Sequence, residues 1–366
     1  MADSAIWQEP APGGYADRSV LGLSHLERNT AARQGRLPIS PMTYLTELAF
    51  GDVSAGHAAF SIPASGWFAN GAGLIPGGML GPVADAALGA SVGTELPPGV
   101  MFTTAELSLS FVRPLRPEPA MRIVASGQSI HVGRSVGVSE AFVLAEPEGR
   151  LLAHGTTRCS IFPPLDPIPE PPSELPVLSQ PLPGSDPRHP LRREVAGEVL
   201  RQEVFASRSG LEILRGWTCG ELPSPPLHHL TGLRPVAVEE GRGEWALPCT
   251  PWLSSPAGTV QGGFTAMLAD ASLTGAVFST APPGTAIASL DLKINYLRPV
   301  RPGGGELRST ASVTHRGRSL AVASAELHKD GKRVALATGS AMYLPGRPAD
   351  LAGVEMPGGA EEGSEP

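Results

Sequence analysis

The chain contains 366 residues and carries one glycine-rich segment twice. Residues 70–78 read Asn-Gly-Ala-Gly-Leu-Ile-Pro-Gly-Gly and precede an almost uncharged run with a single carboxylate, Asp85. Residues 255–263 repeat this pattern 185 positions later, and Asp270 stands at the position that corresponds to Asp85. Self-similarity at a fixed offset is the signature of a repeated structural unit. The chain is therefore expected to fold as two copies of one domain, with these two segments acting together.

Landmark residues at the ends of predicted elements recur at the same offset. The shared landmarks are Pro63 and Trp67 with Pro248 and Trp252, Pro-Pro-Gly at 97–99 and 282–284, and Arg-Pro-x-Arg-Pro at 113–117 and 298–302. Between the copies lies a proline-rich stretch, which excludes a helix or a central strand. We expect an N-terminal domain at 18–162, a Pro-rich linker at 163–190, a C-terminal domain at 191–345 and a disordered acidic tail at 346–366.

Hydrophobic periodicity and turn residues predict the elements of each copy. In the first copy, residues 79–94 have the length and the small apolar side chains of a buried helix. One strand ending at 57–62 precedes it, and the predicted strands that follow lie at 101–112, 122–131, 135–145 and 151–162. Further helices are expected at 21–36 and 192–220. A central helix with a long antiparallel sheet places each copy in the α+β class.

Composition excludes several classes of function. The formal net charge is −7 and there is no long basic run, so the chain lacks the electrostatic footprint of a nucleic-acid-binding protein. No stretch reaches the ~18 apolar residues of a membrane span, and Asp3 and Glu9 argue against a signal peptide. The cysteines match neither a disulfide framework nor a zinc site, and we expect Cys159, Cys219 and Cys249 to be buried thiols. These features favour a cytoplasmic protein without a bound metal.

The Gly-Gly pairs precede the predicted central helices. The first N–H groups of a helix have no partner within the helix and lie at the positive end of its dipole. Without side chains in the way, Gly77 and Gly78, or Gly262 and Gly263, could bind a carbonyl oxygen on which negative charge develops. The alternative is that these glycines only allow close packing of helix and sheet.

Asp85 and Asp270 each lie on an otherwise apolar helix face. The neighbours on these faces are Gly78, Gly81, Leu88, Gly89 and Val92 in the first copy, and Gly263, Ala266, Leu273, Thr274 and Val277 in the second. Burial would raise the pKa of such a carboxyl towards the range of a general base. The alternative is a structural carboxylate that accepts hydrogen bonds from backbone donors of the other domain.

Helix geometry limits how each carboxylate can act. Gly78 and Asp85 are seven residues apart, so they lie roughly 10 Å apart along one helix, at ~1.5 Å per residue. Both groups of one copy therefore cannot act on one carbonyl. If the two helices lie antiparallel across a pseudo-twofold axis, the Asp of one copy approaches the Gly-Gly of the other.

Together these residues resemble the hot-dog-fold acyl-CoA thioesterases, in particular those of the phenylacetate pathway. The family pattern is a loop with Asn or Gln, His-Gly-Gly, a central helix with Asp or Glu, and a strand that ends in Phe/Tyr-x-Arg-Pro. This chain has Asn70, Gly77-Gly78, Asp85 and Phe111-Val-Arg-Pro114, and then Gly262-Gly263, Asp270 and Tyr296-Leu-Arg-Pro299. The resemblance covers both copies, at about 21–162 and 206–344.

The resemblance implies two paired hot-dog folds with acyl-CoA in the groove between them, as substrate and with no separate cofactor. A glycine amide would polarise the thioester carbonyl, and the acid of the opposite helix would activate water or attack directly. One implied site contains Asp270, Asn70, Gly77 and Gly78, and the other contains Asp85, Ser255, Gly262 and Gly263. A homodimer of the tandem chain is possible within this family architecture.

The chain departs from the family pattern at the histidine, which is Pro76 in the first copy and Gln261 in the second. Ser255 also replaces the asparagine in the second copy, so the Asp270 site, which keeps Asn70, ranks first for activity. Ser255 and Gln261 count as substrate-binding candidates of the other site. Relatives often have a water-holding hydroxyl at the positions of Thr103 and Thr104, and of Ala288 and Ser289 in the second copy. The hairpin arginines that could contact coenzyme A phosphates, unless they are merely solvated, are Arg134 and Arg318.

The favoured hypothesis is hydrolysis of an acyl-CoA thioester to the free acid and CoA. One alternative is a non-catalytic protein that binds or senses acyl-CoA, which the missing histidines favour. Another is an acyl-thioester dehydratase or hydratase. The latter reaction needs a histidine near the central helix, and neither glycine-rich loop contains one.

Overall fold

The computed structural model describes residues 5–180, 186 and 189–351, and 12 strands of this part form one antiparallel sheet. The N-terminal strands are β1 Ala49–Ser54, β2 His57–Ala64, β3 Phe102–Phe111, β4 Glu118–Val132, β5 Val136–Glu146 and β6 Arg150–Ile161. The C-terminal strands are β7 Arg234–Glu239, β8 Arg242–Pro248, β9 Thr285–Tyr296, β10 Glu306–Arg316, β11 Leu320–Lys329 and β12 Lys332–Pro345. The helices are α1 His25–Arg33, α2 Pro41–Thr46, α3 Gly81–Gly93, α4 Gln202–Ser207, α5 Gly210–Cys219, α6 Pro226–Thr231 and α7 Gly262–Phe278.

The order of strands in the sheet shows the internal duplication directly. It runs β1-β2-β4-β5-β6-β3-β9-β12-β11-β10-β8-β7, so the second half repeats the first in reverse. The halves join through β3 and β9, which pair antiparallel with Leu107 opposite Ile294 and Leu109 opposite Leu292. These four side chains are buried and tie the two halves together. The predicted α+β architecture of two sheet-wrapped helices is confirmed.

The helices α3 and α7 form the centre of each half because they are apolar on nearly every face. α3 packs against β2, β4, β5 and β6, and α7 packs against β8 to β12. The strands bury alternate residues towards the helices, as in β2, where Ala58, Phe60 and Ile62 point inward. One hydrophobic core contains residues of both central helices, so the halves are packed as one unit.

The central helices approach each other closely at Gly81 and Gly263. A Cβ atom added to Gly263 would lie 2.4 Å from the carbonyl oxygen of Gly81, and one added to Gly81 would lie 2.7 Å from the Gly263 carbonyl oxygen. Both distances are shorter than van der Waals contact with backbone atoms that cannot move away independently. Glycine at these two positions therefore permits backbone contact between α3 and α7.

Two of the predicted helices are shorter in the structure. Within 21–36, α1 covers only His25–Arg33, because Ser24 and Glu27 form a capping box that starts the helix there. The expected helix at 192–220 is wrong as a single element. It is divided into α4 and α5 at Arg208, whose φ of −116° and ψ of 144° are extended, and Ser209 starts α5 with a second capping box.

The prediction of a single strand before the central helix missed a hairpin. Residues 42–46 belong to α2, and β1 then pairs with β2 through a turn at Gly56, whose φ is 74°. β1 is an edge strand without fully buried residues, so its sequence lacks the alternation that identifies a half-buried strand. The second half repeats this hairpin as β7 and β8.

The proline-rich stretch from 163 to 180 contains neither helix nor strand and runs along the N-terminal half. Arg36 donates to the carbonyl oxygen of Leu175 at 2.5 Å, and Gln180 donates to that of Leu37 at 2.8 Å. Residues 181–185, 187–188 and 352–366 lie outside the described residues, and with them most of the predicted acidic tail. We keep residues 163–190 as a proposed linker between the two domains.

Cys159 and Cys249 are buried, as expected, whereas Cys219 is exposed. Cys219 is the last residue of α5, where the sulfur lies within 3.7 Å of the Gly216 carbonyl oxygen. Its expected burial is therefore wrong, because the end of α5 lies at the surface.

Candidate active site

Each central carboxylate lies against the glycine pair of the opposite half. Gly78 is part of the 3-10 helix Gly77–Leu80 that leads into α3, and Gly263 is in the first turn of α7. The backbone N–H of Gly78 donates to Oδ2 of Asp270 at 2.8 Å. The N–H of Gly263 donates to Oδ2 of Asp85 at 3.2 Å. The approach of each Asp to the other half's Gly-Gly, expected from helix length, is therefore present in the structure.

A hydroxyl of the same half holds the second oxygen of each carboxylate. Thr104 donates to Oδ1 of Asp85 at 2.9 Å, and Ser289 donates to Oδ1 of Asp270 at 2.9 Å. Thr274, one turn along α7, also lies 3.4 Å from Oδ1 of Asp270. Both carboxylates are thus fixed in orientation by donors from two sides.

Burial changes the acidity of both carboxyl groups. Asp85 is 7 % exposed, and loss of hydration raises its pKa to about 6 against hydrogen bonds from Thr104, Gly263 and Gly262 that lower it. Burial also raises the pKa of Asp270, while the hydrogen bonds from Gly78, Ser289 and Thr274 act in the opposite direction. A raised pKa suits a carboxyl group that takes up a proton during a reaction, and that of Asp85 lies about one unit below neutral pH.

The first glycine of each pair lies under an aromatic ring of the same half's Phe/Tyr-x-Arg-Pro strand. A Cβ atom on Gly77 would lie 2.8 Å from the ring of Phe111, and one on Gly262 would lie 3.3 Å from the ring of Tyr296. Tyr296 also donates its hydroxyl to the carbonyl oxygen of Gly262 at 2.8 Å. Within the described residues, no hydrogen bond engages the N–H of Gly77. That N–H is available to an oxygen atom of a ligand.

The glycines also serve packing, the alternative considered from the sequence. A Cβ atom on Gly78 would lie 2.7 Å from Cβ of Asp270 and 2.9 Å from Cα of Met267. The packing partner of Gly78 is therefore the opposite helix, whereas that of Gly77 is Phe111 on strand β3. Close packing and the contact between N–H and carboxylate come from the same property of glycine.

Asn70 and Ser255 form equivalent turns before the helix starts. The side-chain oxygen of Asn70 accepts from the N–H groups of Ala72 and Leu74, at 2.9 Å and 3.1 Å. Ser255 likewise accepts from the N–H of Ala257 at 3.3 Å. Among the described residues, neither side chain makes a hydrogen bond to a central carboxylate. The higher rank of the Asp270 site, based on Asn70, stays a prediction without a contact to support it.

The hydroxyl candidates divide into two groups. Thr104 and Ser289 face the carboxylates, whereas Thr103 is exposed and belongs to the other face of β3. Arg134 and Arg318 are exposed in the turns after β4 and β10, and their contact with coenzyme A phosphates stays a prediction. No ion pair of either guanidinium is found within the described residues.

Gln261 lies directly before Gly262 and is 7 % exposed. Its Nε2 donates to the carbonyl oxygen of Pro82 on the opposite helix at 2.9 Å. Its Oε1 is buried, and none of the described residues donates to it. Gln261 thus belongs to the Asp85 site, whereas Pro76 at the matching place of the Asp270 site has no side-chain hydrogen-bonding group.

Sequence reasoning missed the second acid of each site. Glu106 is 6 % exposed on β3, and Asp291 stands at the equivalent position of β9, where its charge acts to raise the pKa of Asp270. Asp291 and Ser289 line one small cleft beside Thr274. The common offset of 185 residues is the signal that could have paired the two acids.

Within the part of the chain that the structure describes, no group of three or more His, Cys, Asp or Glu residues could hold a metal ion. No helix there is long and apolar enough to cross a membrane.

Comparison with known proteins agrees with this architecture. Residues 257–336 match the model of the thioesterase superfamily. A TesB protein of Mycobacterium avium subs paratuberculosis has a similar fold, with 16 % identity, a TM-score of 0.50, and coverage of 83 % of this chain and 98 % of that chain. No curated protein sequence matches the chain.

Single-domain thioesterases resemble one half of the chain. A putative thioesterase of Ralstonia eutropha JMP134, described as related to phenylacetic acid degradation, is 32 % identical over 35 % of this chain and 98 % of that chain, with a TM-score of 0.33. The sequence identity to this thioesterase, the matching family model and the duplicated sheet together show which family the chain belongs to. It belongs to the thioesterase superfamily and is a double hot-dog protein, with two hot-dog folds in tandem.

Proposed function

We propose that the chain hydrolyses an acyl-CoA thioester to a carboxylic acid and free CoA. The observation that carries this proposal is the contact between each buried carboxylate and the helix-start amide of the opposite half, at 2.8 Å for Asp270 and 3.2 Å for Asp85. It brings a proton acceptor next to donors that can stabilise negative charge on a carbonyl oxygen.

In the proposed reaction, the thioester carbonyl oxygen accepts a hydrogen bond from the N–H of Gly77 in the Asp270 site. In the Asp85 site it shares the N–H of Gly262 with the carboxylate. The carboxylate then acts on the carbonyl carbon as a general base through water, or as a nucleophile. Burial raises the pKa of both carboxyl groups, to about 6 for Asp85, and this favours proton uptake. Thr104 and Ser289 orient the carboxylates and compensate part of the cost of burying them.

The proposal extends to the cofactor, the location and the assembly of the protein. Coenzyme A enters as part of the substrate, so no separate cofactor is proposed, and the exposed guanidinium groups of Arg134 and Arg318 are candidates for its phosphates. The same proposal includes a cytoplasmic location and a role in acyl-CoA turnover, such as fatty acid metabolism. Pairing of two tandem chains as a homodimer also stays a proposal.

Binding without catalysis is the second candidate, because neither site has the histidine of the family pattern. Against it stands the orientation of the carboxylates: a site that only binds a thioester gains nothing from an acid whose burial is unfavourable. A dehydratase or hydratase is less favoured, because no histidine among the described residues makes a hydrogen bond to Asp85 or Asp270.

Release of free thiol from a panel of acyl-CoAs tests the proposal. Asp85→Asn and Asp270→Asn each keep the shape of the carboxyl group but remove its base, and each is expected to remove the activity of its own site. Asp52→Asn is the matched control, since its side chain is 89 % exposed and lies on the edge strand β1. A wild type that binds acyl-CoA but releases no thiol above background contradicts hydrolysis and supports the binding function.

A further inference from the structure

The Asp85 site contains a buried acceptor whose hydrogen bond is not made by the protein. Gln261 is 7 % exposed, and its Oε1 has no donor among the described residues. An unpaired acceptor in the interior is unfavourable, so such groups are normally paired with protein or with ordered water. Gln261 Oε1 therefore points to a donor that is not part of the chain.

The orientation of the Gln261 amide is fixed by its other contact. Nε2 donates to the carbonyl oxygen of Pro82 at 2.9 Å. A carbonyl oxygen only accepts, so exchanging the two ends of the amide would bring two acceptors together. Oε1 is therefore the end that is directed away from Pro82.

The hydrogen-bond partner of Gln261 is a neighbour of Asp85 on α3. Pro82 and Asp85 are three residues apart on α3, and residues at this spacing are neighbours on a helix surface, with about 5–6 Å between their Cβ atoms. Gln261 also directly precedes Gly262, where an added Cβ atom would lie 2.9 Å from Oδ2 of Asp85. Gln261 and Asp85 thus lie close together at the start of α7.

We propose that Gln261 Oε1 and the Asp85 carboxylate together hold the water molecule that attacks the thioester, so that Gln261 is a positioning residue for hydrolysis. This inference rests on the proposed function. The water donates one hydrogen bond to each acceptor, and its oxygen remains free to attack the carbonyl carbon beside the N–H of Gly262.

The reaction balances without any further reactant. A bond forms between the water oxygen and the carbonyl carbon, and one water proton passes to Asp85. The bond between carbon and sulfur then breaks, the thiolate of CoA takes the proton from Asp85, and the acyl group leaves as a carboxylic acid. No oxidation or reduction occurs.

The inference makes the two sites unequal. Pro76 offers no side-chain acceptor at the position of Gln261, and Phe111 has no hydroxyl at the position where Tyr296 donates to Gly262 at 2.8 Å. Asn70 uses its side-chain oxygen within its own turn. The Asp85 site is therefore the better hydrolytic site, which reverses the order suggested by Asn70 alone.

Gln261→Met tests the inference, because methionine keeps the length of the side chain and removes the acceptor. In an Asp270→Asn background, where only the Asp85 site works, we expect kcat to fall roughly 10- to 100-fold with KM nearly unchanged, as for a misplaced reactant. In an Asp85→Asn background the same substitution is expected to change nothing further. Equal losses in both backgrounds indicate a structural role and overturn the inference.

A second measurement needs no variant. A crystal structure of the unliganded protein that resolves ordered water is expected to place one water molecule within hydrogen-bond distance of both Gln261 Oε1 and Asp85. A protein donor on Oε1, or no water between the two groups, overturns the inference. The proposed function fails separately, when the wild type releases no thiol. The inference fails alone when the wild type hydrolyses acyl-CoA but Gln261→Met keeps its kcat in the Asp270→Asn background.

Discussion

At the scale of residues, Asp85 combines deep burial with three hydrogen-bond donors, and burial dominates its acidity. The result is a pKa of about 6, well above that of an ordinary aspartate. The carboxylate is the form that can accept a proton, so Asp85 is active as a base only above this pKa. Acidity and reactivity of the site are thus tied to one physical cause, the loss of hydration.

The pH dependence of hydrolysis follows from this pKa. In the Asp270→Asn variant, we expect kcat/KM to rise as pH increases through about 6, because Asp85 loses its proton there. Steady-state rates between pH 4.5 and 8 measure this directly. A profile that stays flat from pH 5 to pH 7 contradicts a catalytic role for Asp85 as a base.

The same pKa affects stability with a definite sign. A carboxyl whose pKa is raised on folding binds its proton more tightly in the folded state. Its contribution to stability is therefore present below the unfolded pKa of about 4 and is lost as pH rises through about 6. We expect Asp85→Asn to gain stability relative to the wild type over this range, on the order of 2–3 kcal/mol at most.

Urea unfolding at pH 4 and pH 7.5 checks this expectation. The midpoint of Asp85→Asn should match that of the wild type at pH 4 and exceed it at pH 7.5. Asp52→Asn, exposed at the surface, should show no such change. A wild type that is the more stable protein at pH 7.5 would mean that the hydrogen bonds to the carboxylate outweigh the cost of burying it.

The two carboxylates and the glycines opposite them could be identified from the sequence, because a single acid in an apolar helix and a repeated Gly-Gly are local patterns. Tyr296 and Phe111 could be located, but not their contacts with Gly262 and Gly77. Such contacts depend on how a strand is bent over a helix start, which no spacing along the chain encodes. The bonds of Asn70 to the N–H groups of Ala72 and Leu74 are local instead, and the turn preference of asparagine was a signal that could have indicated them.

At the scale of elements, the site depends on the close approach of α3 and α7. Gly81→Ala places a Cβ atom 2.7 Å from the Gly263 carbonyl oxygen, so the helices must move apart and lengthen the bond from Gly263 to Asp85. We expect a loss of about 1–3 kcal/mol in unfolding free energy, as for other overpacked positions, together with reduced thiol release.

Gly89→Ala is the matched control on the same helix. The nearest atom to its Cβ would be a ring carbon of Phe102 at 3.5 Å, which is ordinary contact. Alanine also favours the helix over glycine by up to about 1 kcal/mol. Stability and activity should therefore be kept or improved. Equal effects of Gly81→Ala and Gly89→Ala would show that the helix crossing does not limit either property.

Long elements with a regular burial pattern were predicted well, and short elements with mixed sequence were not. The strands β3 to β6 and helix α3 lie within a few residues of their expected limits, since burial on defined faces leaves a strong pattern. The edge strand β1 and the break between α4 and α5 depend on hairpin pairing and on local capping by Ser209. Hairpin pairing and capping leave a weaker pattern in the sequence than the periodic burial of apolar residues does.

At the scale of the whole molecule, duplication replaces the symmetry of a dimer. Each site takes its carboxylate from one half and its glycine amides from the other, so neither half contains a complete site. Because both halves are parts of one chain, they can change independently. Gln261 opposite Pro76, and Tyr296 opposite Phe111, are differences that two identical subunits could not have.

The most direct test of the central claim uses the double variant Asp85→Asn/Asp270→Asn. Both carboxylates are replaced by amides of the same shape, so the fold and the groove between the halves should remain. We predict that the double variant still binds acyl-CoA, measured by titration calorimetry with a slowly hydrolysed substrate, while its release of free thiol falls to background. Thiol release by the folded double variant at the rate of the wild type would contradict the account.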